Sequence, residues 1–192
     1  MIKELILKNR SYRRFYEDYF IDTETLRSLI ELARSSPSAR NLQPLRYIIS
    51  NNRELNEKIF QLLKWAGYLG EKGTPQVGER PSAYIIVLGD KSLTTNFYCD
   101  HGIATQSILL GAVELGLGGC IIASVDQNKL RNLLNISDRY EIFHVIALGK
   151  PKEKVVIENL NSDGDIKYWR DENQVHHVPK RSLDELILKI YE

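Results

Sequence analysis

Two arginines and a serine near the start of the chain have the chemistry of an anion site. Arg10, Ser11 and Arg13 fall within the stretch RSYRRF, directly after a short helical pattern. Guanidinium groups bind phosphate oxygens through paired hydrogen bonds, and a hydroxyl adds a further donor. A basic helix end exposed to solvent has the same composition, because cations suit the C-terminal end of the helix dipole. Spacing alone favours this second interpretation.

A polar loop, PSARNLQP (37–44), leads directly into an apolar run. Its Ser38, Asn41 and Gln43 side chains suit the polar edge of a ligand, and its two prolines restrict the backbone. The alternative is a connecting loop whose Ser and Asn side chains bond to their own backbone. Taken by itself, the loop favours this alternative.

Glycines at 116–120 (GLGGC) follow a long apolar segment. They permit a close approach of the backbone to a flat ligand, and they equally suit a helix C-cap. A dinucleotide fingerprint needs a strand before the glycines and a helix after them, and the predicted order here is the reverse. Lys150, at a strand end, and the pair Lys180–Arg181 add positive charge either to a phosphate site or to the surface.

The composition excludes several classes of protein. The 192 residues, 43% of them hydrophobic, are enough for one domain with a buried core. A net charge of +1 argues against nucleic acid or an anionic membrane as a partner. The apolar segment 103–125 contains Gln106, Glu114 and several glycines, so it predicts a buried helix and a strand rather than a membrane span.

The titratable side chains contain no recognisable metal or nucleophile motif. Cys99-Asp100-His101 lacks the ligand spacing of a zinc site. Cys120 is typical of a small buried residue. Two cysteines are too few for a disulfide scaffold, and the absence of a signal peptide pattern predicts a reducing cytoplasm.

Hydrophobic periodicity and capping residues predict helices mixed with about four strands, an α+β or α/β fold. Predicted N-caps are Asp22 or Thr23, Asp100, Asp126 and Ser182, the last within a capping box. Residues 67–81 and 152–181 are predicted to be loops. Helices are predicted over 2–9, 23–35, 53–65, from 100 to Gly116 or Gly118, over 127–134 and after 182, and strands over 46–50, 83–88, 120–124 and 143–148.

Five segments, taken in this order, resemble the FMN-dependent nitroreductase family. The resemblance spans nearly the whole chain, and the order of the segments is more specific than any one of them. It therefore reverses the preference for the non-functional alternatives above. The segments are RSYRRF (10–15), SSPSARNLQP (35–44), the helix into GLGGC (116–120), ALGKP (147–151) and KRSLDEL (180–186).

The resemblance implies cofactor-binding positions in four of these segments. They are Arg10, Ser11 and Arg13 at the FMN phosphate and ribityl chain; Pro37, Ser38, Ala39, Asn41 and Gln43 along the isoalloxazine ring; Gly118 and Gly119 near its reactive nitrogen; and Lys180 and Arg181 near the phosphate.

The resemblance also implies a fold and a partner. The expected fold is an α+β sandwich with a mostly antiparallel sheet, formed by residues 1–192 as a single domain. The expected assembly is an intertwined homodimer with two FMN molecules at its interface and an exchanged C-terminal arm, residues 152–192. Tyr168, Trp169 and Arg170 in this arm either wall the substrate pocket or anchor the arm on the partner, and packing favours anchoring.

The implied activity is electron transfer from NADH or NADPH, through FMN, to a small acceptor such as a nitroaromatic or a quinone. The flavin would carry the chemistry, so no catalytic side chain is required. Three alternatives stay open at this point: a specialised flavin enzyme that dehalogenates or breaks down flavin, a non-catalytic FMN-binding module, and a structural dimer without flavin.

Overall fold

The computed structural model describes residues 1–161 and 164–192. The helices are α1 (Ile2–Lys8), α2 (Thr23–Ser35), α3 (Arg53–Phe60), α4 (Asp100–Glu114), α5 (Gln127–Leu133) and α6 (Leu183–Leu186). The strands are β1 (Phe15–Tyr16), β2 (Leu45–Ser50), β3 (Ala83–Asp90), β4 (Gly118–Ile122), β5 (Tyr140–Pro151), β6 (Val155–Asn159), β7 (Trp169–Arg170) and β8 (His176–Lys180). Short 3₁₀ helices lie at Ala39–Asn41 and Gly67–Gly73.

The main sheet is antiparallel in every pairing. Its path runs β1-β5-β3-β2, and β4 also pairs with β5. The long strand β5 holds the sheet together, because it pairs with β3 along one edge and with β4 and β1 along the other. Ile146, for example, lies between Ile85 and Ile121. Helices around an antiparallel sheet confirm the predicted α+β class.

Helices cover both faces of β3, and all eight residues of this strand are buried. Successive side chains on a strand point to opposite faces. Ile85 and Val87 therefore pack with α2 and α4, whereas Tyr84 and Ile86 pack with α3 and α5. Each fully buried aliphatic side chain of this kind contributes about 1.5–3 kcal/mol. The result is a sheet between two helical layers.

Local capping signals predicted three helix starts correctly. The Asp22 carboxylate accepts a hydrogen bond from the Thr25 amide at the start of α2. Asp126 caps α5 in the same way. Ser182 forms a capping box at the start of α6. These bonds satisfy amides that the helix itself leaves without partners.

Two predicted helix boundaries are wrong because tertiary contacts decide them. Cys99, not Asp100, occupies the N-cap of α4, and the Asp100 carboxylate accepts a hydrogen bond of 2.9 Å from the Ala39 amide instead. The helix predicted over 53–65 ends at Phe60, since Leu63 pairs with Val125 in a β-bridge.

The end of the central helix also differs from the prediction. α4 ends at Glu114, before either predicted glycine. Gly116 follows in the left-handed region with φ 73°, where glycine avoids the clash of a Cβ atom. Gly118 then begins β4, so the last two glycines of GLGGC are strand residues.

The predicted loop over 152–181 is wrong, because it contains a second sheet in the order β6-β8-β7. β6 runs parallel to β8, and β7 runs antiparallel to it. Most side chains of these strands are partly or fully exposed and His176 is buried, so hydrophobic alternation gives no signal. Residues 162 and 163 of the predicted loop lie outside the described residues.

A buried ion cluster closes the end of β3. Asp90 has 0% exposure, and its carboxylate accepts hydrogen bonds from Arg139 Nε at 2.8 Å and Nη2 at 2.6 Å. Ser92 donates to the same carboxylate through its hydroxyl and its amide. The hydrogen bonds from Arg139, followed by those from Ser92, hold the pKa of Asp90 well below its usual range.

We expect Asp90→Asn to lower the melting temperature by several degrees at pH 7, because it leaves Arg139 without its carboxylate. The depressed pKa means that the carboxylate stabilises the fold above its unfolded-state pKa of about 3.9 and loses this contribution as pH falls further. The difference between wild type and variant should therefore narrow below about pH 4. Thermal melts across pH measure this.

The matched control is Asp138→Asn, since that carboxylate has 97% side-chain exposure. Its melting temperature should stay close to that of the wild type. Equal melting temperatures for Asp90→Asn and wild type at pH 7 would contradict a stabilising role for the cluster.

Candidate functional site

The N-terminal motif RSYRRF is docked along the outer edge of β4. The Tyr12 amide donates to the Gly119 carbonyl at 3.0 Å, and Ser11 forms a parallel bridge with Gly119. Phe15 is fully buried, and Gly149 leaves room for its ring, because a Cβ there would lie 2.7 Å from Phe15 Cδ1. These contacts place the motif's arginines beside the strand.

Five of the predicted cofactor residues surround one cavity of about 310 Å³, which we call the arginine cavity. The motif, the edge of β4 and the strand β8 each contribute to it. Three arm residues that the sequence analysis did not assign to a site, Tyr168, His176 and Val178, also line it. The predicted residues are Arg10, Ser11, Arg13, Gly119 and Lys180.

Hydrogen-bond donors dominate the arginine cavity. Arg10 donates from Nη2 to the Ile6 carbonyl at 2.7 Å, and its Nε is buried without a partner among the described residues. Arg13 Nη1 lies 3.3 Å from His176 Nε2. Arginine has no acceptor, so His176 Nε2 accepts and its Nδ1 carries the proton. That Nδ1 is likewise buried without a partner in the described chain.

His176 is neutral near pH 7. Burial lowers its pKa to about 4, and the positive charges of Arg13 and Arg170 act in the same direction. The cavity therefore combines two guanidinium groups with a neutral imidazole donor. Such a set of donors fits a phosphate, which accepts several charge-assisted hydrogen bonds at once.

Glu153 joins the motif to the arm. Its side chain is 2% exposed and pairs with Arg170 Nη2 at 2.6 Å. The same carboxylate accepts hydrogen bonds from the amides of Arg13 and Arg14. A buried carboxylate needs partners of this kind. It thereby fixes the backbone that presents Arg13, and it settles Arg170 as an anchoring residue within the chain.

A second cavity of about 190 Å³ continues along β4, and we call it the strand cavity. It shares Arg13, Ile121 and Tyr168 with the arginine cavity. The Gly119 carbonyl faces the outer edge of β4, and residues two apart on a strand face the same edge. The Ile121 amide therefore also faces outwards and offers a backbone donor beside both cavities.

Sequence reasoning missed the strand cavity. Cys120, Ala123 and Ser124 line it together with Trp65, and only the small residues after the apolar run CII signal an open strand end. Burial raises the pKa of Cys120, so its thiol stays protonated and unreactive. Tyr168 lines both cavities, and the Arg13 guanidinium lies 4.8 Å from the centre of its ring.

The predicted flavin-ring loop forms a different cavity. Pro37, Ser38 and Gln43 line a space of about 460 Å³, the loop cavity, which shares no lining residue with the other two. Ser38 Oγ accepts from the Gln43 amide at 3.2 Å, and Gln43 donates to Asn41 Oδ1 at 3.2 Å. One chain thus does not bring all predicted residues together.

The loop is held in an unusual conformation. Arg40, Asn41 and Gln43 have φ of 54°, 56° and 50°, in the left-handed region that favours glycine. Asparagine tolerates this region better than arginine or glutamine does. The Ala39 amide is anchored on Asp100, which helps to hold the strained backbone. Strain of this kind clusters at functional sites.

Two predicted residues take other roles. A Cβ at Gly118 would lie 2.5 Å from Tyr12 Cδ2 and 2.8 Å from Pro151 Cγ, so this glycine allows the motif to pack on β4. The Arg181 side chain turns to Glu185, with 3.3 Å between Nη1 and Oε1, and does not line the arginine cavity.

Fold and site together define a member of a known enzyme family. A sequence profile of the Nitroreductase family matches residues 6–150, which is most of the chain. The protein belongs to the nitroreductase family.

Relatives and solved structures agree with this assignment. An oxygen-insensitive NADPH nitroreductase from Helicobacter acinonychis is 33% identical, over 77% of this chain and 86% of its own. An FMN-dependent nitroreductase from Clostridium difficile superposes with a TM-score of 0.67 at 26% identity, over 90% of this chain and 99% of its own. A nitroreductase family protein from Streptococcus pneumoniae has the same fold, with a TM-score of 0.68, 20% identity and coverage of 85% and 97%.

Two further classes of feature were sought in residues 1–161 and 164–192. No cluster of three His, Cys, Asp or Glu side chains there could hold a metal ion. No helix in this part of the chain is long and apolar enough to cross a membrane.

We expect Gly118→Ala to destabilise the protein by about 1–3 kcal/mol, because the new methyl group displaces Tyr12 from β4. Gly102→Ala is the matched control, since a Cβ there meets nothing within 4 Å. In helix α4 it should be neutral or stabilising by up to about 1 kcal/mol. Urea unfolding measures both, and equal stability of the two variants would contradict tight packing at Gly118.

Proposed function

We propose that this protein is an FMN-dependent oxidoreductase that transfers electrons from NADH or NADPH to a small acceptor such as a nitroaromatic or a quinone. The observation that carries the proposal is the join between an anion-binding cavity and a cavity along an open strand edge. FMN has the matching parts, an anionic phosphate at one end and a flat ring at the other. Family membership supports the same cofactor.

The residues around the joined cavities fit FMN. Arg10 and Arg13 would neutralise the phosphate, and the unpartnered Arg10 Nε is a donor already directed within a buried setting. Lys180 adds a charge from β8. The Ile121 amide at the strand edge would donate to the ring, and Tyr168 would shield the site from water. When bound, FMN supplies the hydride chemistry.

We propose further that the enzyme is a homodimer, because one chain separates the loop cavity from the arginine cavity. A second chain would bring its loop, with Pro37, Ser38, Ala39, Asn41 and Gln43, to the first chain's arginines. The C-terminal segment supports this assembly: it is exposed and rich in apolar side chains such as Leu183, Leu186, Leu188 and Ile190. Large exposed apolar groups favour association with a partner surface.

Each chain would act as one domain, residues 1–192, in a reducing cytoplasm where Cys99 and Cys120 stay free. Donor and acceptor would use the same face of the flavin in turn. Double-reciprocal plots should then be parallel, and intersecting lines would exclude a shared site.

The test of the proposed function begins with the visible absorption spectrum of the purified protein. Flavin bands, release of FMN on denaturation and acceptor-dependent oxidation of NADH or NADPH are the expected results. A protein that stays colourless after incubation with FMN would overturn the proposal.

The double variant Arg10→Ala, Arg13→Ala should bind FMN at least roughly 100-fold more weakly, because two charge-assisted donors are lost. Fluorescence titration with FMN measures this. The control removes the same charge elsewhere: Lys58→Ala with Lys129→Ala, both exposed, should bind as the wild type does. Equal affinity of the arginine variant would place the phosphate elsewhere.

Co-expression tests whether each site combines two chains. One chain carries Arg10→Ala, Arg13→Ala, and the other carries Ser38→Ala, Asn41→Ala and Gln43→Ala. Random pairing gives mixed dimers that each contain one intact site, so about a quarter of the wild-type FMN sites should return. Purification by two tags isolates the mixed dimer. FMN binding no better than that of either parent would show that a site lies within one chain.

A further inference from the structure

A fourth cavity, of about 200 Å³, lies away from the candidate flavin site. It is formed by the segment after β1, the start of α3 and the residues that lead into β3. It shares no lining residue with the arginine, strand or loop cavities. We call it the Tyr84 cavity, after the residue at its buried end.

Three polar atoms that line the Tyr84 cavity have no hydrogen-bond partner in the described chain: Arg80 Nε, Ser82 Oγ and Tyr84 Oη. Tyr84 has 0% exposure, and burial raises the pKa of its hydroxyl. Each of these atoms therefore carries a proton to donate. Buried polar groups in folded proteins almost always have partners, so three such donors on one cavity point to a bound acceptor.

The charge of Arg80 is already balanced by protein groups. Its Nη1 lies 2.5 Å from Glu57 Oε1, and its guanidinium packs 4.5 Å from the centre of the Phe60 ring. The Glu17 carboxylate accepts from the Arg80 amide at 3.3 Å. These contacts fix the side chain. They also mean that a ligand with a net negative charge would meet two carboxylates near its binding position.

The mouth of the cavity has the opposite preference. Asp18 is exposed there, and the Glu57 side chain is 57% exposed. The rings of Tyr19 and Phe20 lie at the same opening. Carboxylates and aromatic faces both attract an ammonium group. The exposed Arg53 is the one cation in this outer set, so the carboxylates outnumber it.

We infer that the Tyr84 cavity binds a small zwitterion, an α-amino acid of about the size of alanine. Its carboxylate accepts hydrogen bonds from Arg80, Ser82 and Tyr84 at the buried end. Its ammonium group lies at the mouth between Asp18 and Glu57. A simple carboxylate lacks the second interaction, and a simple amine lacks the first. The inference does not depend on the proposed oxidoreductase function, because the cavities have no residue in common.

Saturation-transfer NMR on the full-length protein, as purified, tests this with three probes. Alanine should bind in the millimolar range, whereas propionate, which lacks the ammonium group, and ethylamine, which lacks the carboxylate, should bind at least about tenfold more weakly. Absence of alanine binding up to about 20 mM, or equal binding of alanine and propionate, would overturn the inference.

Tyr84→Phe removes a single oxygen atom and should weaken alanine binding about tenfold. Tyr140→Phe is the control, since Tyr140 does not line this cavity, and its affinity should equal that of the wild type. Unchanged binding in Tyr84→Phe would overturn the site. A crystal structure grown with alanine that shows only water at the three donors would do the same.

Discussion

The hydrogen bond from the Tyr12 amide to the Gly119 carbonyl is the contact on which the candidate site depends. It extends β4 by a short parallel segment and sets the register of the residues on either side of Tyr12. Phe15 then anchors the far end of the segment in the core. Because Gly118 and Gly149 leave space for Tyr12 and Phe15, the motif can lie directly against the strands. Two arginines therefore meet a strand edge without any long-range charge pairing to guide them.

Charge around this segment is arranged in two layers. The inner layer is Glu153, which holds the motif backbone and pairs with Arg170 from the arm. The outer layer is formed by the guanidinium groups of Arg10 and Arg13, which face the cavity. Because the buried carboxylate is already satisfied by Arg170 and by backbone amides, Arg13 keeps its charge for a ligand. An anion site of this kind needs both layers, since unpaired buried charge is costly.

Local signals in the sequence predicted local structure well. Asp22, Asp126 and Ser182 cap the helices that their positions indicated, because a cap involves only residues three apart. Asp100 looks identical by this criterion, yet its carboxylate bonds to a loop that is distant in sequence. The second sheet was missed for a related reason: backbone pairing between partly exposed strands leaves no hydrophobic period to detect.

The candidate site shows the same division. The residue types of the motif indicated an anion site, and the structure gathers Arg10, Ser11 and Arg13 around one cavity. No local pattern shows that Arg181 turns to Glu185, or that His176 enters the cavity from the arm. These positions follow from how β8 packs against the motif. The arrangement of the loop residues across two chains stays a proposal for the same physical reason.

The neutral state of His176 has a thermodynamic consequence. The arginine charges and burial that keep this imidazole unprotonated would be partly offset by an anion bound beside it. Its pKa would then rise towards the ordinary value, and the bound state would hold a proton that the free state does not. Anion binding and proton uptake are therefore coupled at this cavity. The protein would hold its anion more tightly as the solution becomes mildly acidic.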